Sequence, residues 1–126
     1  MKKVISTSKA PQPIGPYSQA VLADKVLFIS GQIPIVPQTG NIISSDIEAQ
    51  TKQVMENIRS ILLKAGMDFN NVVKSTLFIA DMNQFKIINE MYGSYFIEAS
   101  PARETVEVSR LPKDAGIEIS MIAVKT

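Results

Sequence analysis

Arg103 and Glu118 carry groups that could do chemistry together if the fold brings them to one side of a sheet. A guanidinium fork can hold a carboxylate through two parallel charge-assisted hydrogen bonds, and a carboxylate can take a proton from water. Composition removes most other catalytic sets. The 126 residues include no histidine and no cysteine, which excludes Ser-His-Asp catalysis, thiolate nucleophiles, disulfides and imidazole or thiolate metal ligation. Chemistry is left to carboxylates, Arg, Lys, Tyr, hydroxyls, backbone groups and water.

Cooperation between the two depends on the strands that carry them, because side chains along a strand alternate between faces. In the strand after Ala102, Val106 and Val108 point one way and Arg103, Thr105, Glu107 and Ser109 the other. In the last strand Ile117, Ile119, Met121 and Ala123 share one face, and Glu118, Ser120, Ile122 and Val124 share the opposite one. If the wholly apolar rows pack beneath helices, Arg103 and Glu118 emerge together on the uncovered face. On alternation alone, the simpler reading of such a pair is a surface ion pair without function. That face would also leave Ile122 and Val124 in water, which points to cover by a partner subunit.

The elements that must hold these residues read clearly. Residues 17–23 and 26–30 are expected strands joined by a tight turn at Asp24 and Lys25, with residues 32–41 a turn-rich loop. Asp46 is a good N-cap for a helix whose Ile47, Val54, Ile58, Ile61, Leu62 and Ala65 form one apolar stripe, closed by Gly66. Residues 72–80 are β-branched and aromatic, hence a strand. Asp81 then caps a second helix with Phe85, Ile88, Met91, Tyr92 and Phe96 inward, and strands over 104–110 and 117–125 finish the chain. The order is β-β-α-β-α-β-β, a single α+β domain over residues 1–126 with two helices on one face of a sheet. A net charge of +1, with Lys and Arg dispersed, gives little pull toward phosphate backbones. The opening MKKVISTSKAPQP lacks the apolar stretch of a signal peptide, and no run is long enough to span a membrane, so a cytoplasmic location is expected.

Four ordered motifs add a resemblance. IGPYSQA (14–20), SGQIP (30–34), NEMYGSYF (89–96) and PAR with VEVSRLPKDAGIEI (101–119) resemble the RidA (YjgF-like) family of imine and enamine deaminases over essentially the whole chain. The resemblance implies a chorismate-mutase-like, ferredoxin-like fold on a mixed sheet. It also implies a homotrimer with active sites between subunits. The implied activity is hydrolysis of 2-iminopropanoate and 2-iminobutanoate to 2-oxo acids and ammonia without a cofactor or metal.

Arg103 stands at the family's carboxylate-binding arginine and Glu118 at the glutamate that positions the attacking water. Tyr17, Ser30, Gly31 and Asn89 fall at positions lining the family's pocket, and Thr105 at one often filled by cysteine. Glu104 departs from the small residue usual after the arginine; alternation turns it away from Arg103, toward the helix side or an edge. The alternatives are a non-catalytic trimeric binding module for 2-oxo acids, which needs Arg103 but not Glu118, and an RNA-directed role. A near-neutral charge and the absence of histidine oppose the latter.

Overall fold

A computed structural model describes residues 1–126. Its strands are β1 (Lys2–Ile5), β2 (Ala20–Ala23), β3 (Val26–Gln32), β4 (Val72–Ile79), β5 (Ala102–Glu107) and β6 (Ile117–Val124), and its α-helices are α1 (Ile47–Lys64) and α2 (Phe85–Gly93). The strands form one mixed sheet in the order β1-β2-β3-β6-β4-β5. Only β4 and β5 pair in parallel, across the connection through α2; every other neighbour is antiparallel.

Local chemistry explains these elements. Ala23 pairs with Val26, so Asp24 and Lys25 form the two-residue turn, with Asp24 in the left-handed region at φ 54°. The Asp46 carboxylate accepts from the Ala49 amide at 2.9 Å and caps α1. Gly66 ends it at φ 76°. The expected α1 stripe is buried throughout, within one core that also contains Leu77, Ile79, Ile117, Ile119 and Met121. Asn57, also buried, donates to the Ile35 carbonyl at 2.9 Å and ties the loop after β3 to the helix layer.

Some boundaries differ from expectation. β1 was not foreseen: KKVI carries a charged pair and only Ile5 is buried, so it forms an edge strand by pairing with β2. The stretch over 17–19 precedes β2, β3 runs on to Gln32, and β5 occupies 102–107 instead of 104–110. Asp81 caps a short 3-10 turn, Met82–Gln84, that leads into α2. Ile88 and Tyr92 are buried and Phe85 and Phe96 pack on the core, whereas Met91 is only part-buried and lines a recess with Glu90 and Ser94. No helix is long and apolar enough to cross a membrane.

Candidate functional site

The sheet register decides where the reactive side chains go, because laterally paired residues project from the same face. One row runs Ile5, Ala20, Ile29, Met121, Ser75, Arg103. Its first five members are buried under the helices, so Arg103 ends the row on the helix-covered face, at the exposed rim. Glu118 pairs with Phe78, three residues beyond Ser75 on β4, and therefore projects from the opposite, open face. The expectation that Arg103 and Glu118 share one face is thus wrong within a single chain.

The reason is that β5 is an edge strand that inverts the polarity rule. Its row of Arg103, Thr105 and Glu107 faces the helix side at the margin of α2, while Val106, 44% exposed, looks out from the open face. Glu104 belongs to the open face as well, where its carboxylate pairs with Lys74 at 3.0 Å. It does point away from Arg103, but not toward the helices, and it leaves Arg103 unneutralised.

The expected site residues consequently fall into two groups. The first surrounds Arg103. Its Nη1 donates to Asn89 Oδ1 at 2.8 Å, and its guanidinium carbon lies 5.6 Å from the Phe85 ring centroid and 5.2 Å from that of Tyr92. No carboxylate forms an ion pair with it. Thr105, two residues along β5 on the same side, has a buried hydroxyl without a hydrogen-bond partner, the only such side-chain atom in the protein.

The second group surrounds Gly31, where the β3–β6 register shifts between Ile29 and Gln32. Glu118 lies across this backbone so closely that a Cβ on Gly31 would meet its Oε2 at 2.4 Å and its Cδ at 2.7 Å. Only glycine accommodates the carboxylate in that position. Burial pushes the Glu118 carboxyl above the usual glutamate range, and no donor of its own chain reaches it. Ser30, next along β3, donates its hydroxyl to the Ser18 carbonyl at 2.6 Å. Tyr17 is half-exposed, and its hydroxyl accepts from the Ile14 amide at 3.3 Å. Tyr17 and Gly31 line one small recess of about 20 Å³, room for a single water.

Two functional features were not read from the sequence. Phe85, Asn89 and Tyr92 are spaced i, i+4, i+7, so one stripe of α2 meets the guanidinium, and that spacing was the available signal. Gln19 is almost fully buried; its side chain bonds Thr7, Ala10 and Pro11 and fixes the loop that leads toward Tyr17. No group of three or more potential metal-ligating side chains converges.

Similarity to known proteins is extensive. The Endoribonuclease L-PSP family model matches residues 7–125. A RutC family protein of Pyrococcus horikoshii is 58% identical over 125 residues, 99% of this chain and 99% of that protein. The 2-iminobutanoate/2-iminopropanoate deaminase of Homo sapiens is 47% identical over 125 residues, 99% of this chain and 91% of that protein. The crystal structure of E. coli TdcF with bound serine matches with a TM-score of 0.95 at 43% identity, covering 98% of this chain and 99% of the other. With the family model spanning nearly all of its length and α+β relatives matching end to end, the chain belongs to the Endoribonuclease L-PSP family, that of the RidA and YjgF proteins.

Proposed function

We propose that the protein hydrolyses reactive 2-imino acids, 2-iminopropanoate and 2-iminobutanoate, to the 2-oxo acids and ammonia in clefts between the subunits of a homotrimer. The observation that carries this reading is the guanidinium of Arg103, held by neutral groups with no carboxylate paired to it. A substrate carboxylate would complete it, and the unpartnered Thr105 hydroxyl on the same side offers a further donor. Glu118, with Tyr17, Ser30 and Gly31, supplies the other half from the open face of a neighbouring subunit. Opposite faces of one sheet cannot close on one small molecule, so the site is shared between chains.

The chemistry suits these groups. A protonated C=N carbon is strongly electrophilic, so water needs only positioning and modest base assistance. Glu118 accepts a proton as the water oxygen bonds to that carbon, giving a tetrahedral aminoalcohol. Glu118 passes that proton to the nitrogen and takes up the hydroxyl proton as the C–N bond breaks and the carbonyl forms, then gives it to the departing ammonia, which leaves as ammonium beside the 2-oxo acid. Positioning and proton transfer together lower the barrier by on the order of a few kcal/mol, sufficient for a reaction already fast in water.

The human relative named as a deaminase supports this reading. A second reading, a binding module for small carboxylates, is favoured by the relative crystallised with serine. RNA cleavage, which the family's description suggests, lacks a histidine acid–base pair and a basic surface in a chain of net charge +1. The test is ammonia release from 2-iminobutanoate generated in place by a threonine dehydratase. Release above the spontaneous rate, abolished by Glu118→Ala with 2-oxobutanoate binding retained, is the expected result. A rate equal to the background removes the enzyme reading.

A further inference from the structure

We infer that Phe85, Tyr92 and Ser75 are positioning residues that set the plane of the Arg103 guanidinium and so determine how tightly the site takes a carboxylate. This rests on the role of Arg103 proposed above, but its evidence is separate. An exposed arginine on an edge strand normally samples many rotamers, at an entropic cost to any ligand that must order it. Arg103 is instead bounded by two aromatic rings, at 5.6 Å and 5.2 Å, and by the Asn89 amide oxygen.

The Tyr92 ring is itself anchored. The Tyr92 hydroxyl donates to Ser75 Oγ at 2.8 Å, and both residues are buried, Ser75 completely. Ser75 is also the register partner of Arg103 across β4 and β5. The strand pair therefore holds the arginine backbone from below, while the same serine secures the ring that bounds its head from the side. A closed loop results: Ser75 to Tyr92, Tyr92 to the guanidinium, and Arg103 back to Ser75 through the sheet.

The choice of neutral groups matters. A carboxylate in place of Asn89 or either ring would orient the guanidinium equally well but would compete with the substrate. Aromatic faces attract the cation through their quadrupole and leave its N–H donors unused. Asn89 occupies one of the five donors, so two parallel bonds to a carboxylate remain available.

Four variants test this: Phe85→Leu, Phe85→Tyr, Tyr92→Phe and the double Ser75→Ala/Tyr92→Phe. Phe85→Leu is expected to weaken 2-oxobutanoate binding by calorimetry roughly fivefold to tenfold, while kcat changes by less than about twofold, because orientation is lost and not the reacting groups. Phe85→Tyr should restore affinity. Tyr92→Phe leaves Ser75 without its partner and should lower both stability and affinity. The double variant removes that orphaned hydroxyl, so stability should recover while affinity stays reduced, a split that a purely structural role does not give. In NMR spectra the Arg103 Nε–Hε proton should be shifted upfield by the rings and should return toward the free value in Phe85→Leu. Unchanged affinity in Phe85→Leu, or an Arg103 signal that does not move, overturns the inference. Absence of ammonia release would count against the deaminase reading, and carboxylate affinity would still judge the cradle.

Discussion

Glu118 sits half-buried across the Gly31 backbone with no donor of its own chain, which raises its pKa above the ordinary glutamate value of 4.5. A base must be ionised to accept a proton, so a raised pKa moves the acid limb of turnover to higher pH. The midpoint of the kcat profile, where substrate already neutralises Arg103, is expected above 4.5; a limb at or below that value contradicts the assignment. Thr105 makes the complementary case. A buried unpartnered hydroxyl costs about 1–3 kcal/mol. Thr105→Val keeps the shape without the hydroxyl, so it should raise the unfolding free energy by about 1 kcal/mol while weakening carboxylate binding. Denaturant melts together with calorimetry on the same preparation check this, and a gain in stability with unaltered affinity would make the hydroxyl a defect and not a donor.

At the scale of elements, most of the fold was legible because local signals agreed with one another. Asp46 and Gly66 bracket α1, the α1 stripe is buried without exception, and the alternation in β6 divides its buried from its part-exposed residues as expected. The side of the sheet on which β5 sets its polar row was not legible. Alternation gives two faces but no label for them, and the rule that apolar rows lie beneath helices fails where an edge strand passes the rim of a short helix. Val106 thus faces outward and Arg103 toward α2. Gly31 could be read only as a point of close backbone approach; that Glu118 fills the space needs the β3–β6 register. Gly31→Ala should therefore displace the carboxylate and lower turnover sharply. In a Glu118→Ala background the same substitution should cost far less stability, a coupling that a double-mutant cycle measures. Additive effects would mean that the two positions do not touch in solution.

At the scale of the molecule, the open face of the sheet is too apolar for water. Val4, Val21, Phe28 and Ile122 lie in one row across it, with Val4 54% and Phe28 47% exposed. The Lys74–Glu104 pair on the same face is solvent-screened and contributes little. Phe28→Glu is expected to lower the mass measured by light scattering, keep the circular dichroism spectrum and abolish ammonia release; an unchanged assembly would mean that this face is not the contact. Sharing of the site between chains is tested most directly by complementation. Arg103→Ala and Glu118→Ala subunits, each inactive alone, are refolded together in equal amounts. In a closed three-membered ring, about three quarters of the trimers are mixed and each mixed trimer has one complete site, so roughly a quarter of full activity should return. If the mixture stays as inactive as its components, both groups act from one chain and a site divided between subunits is ruled out.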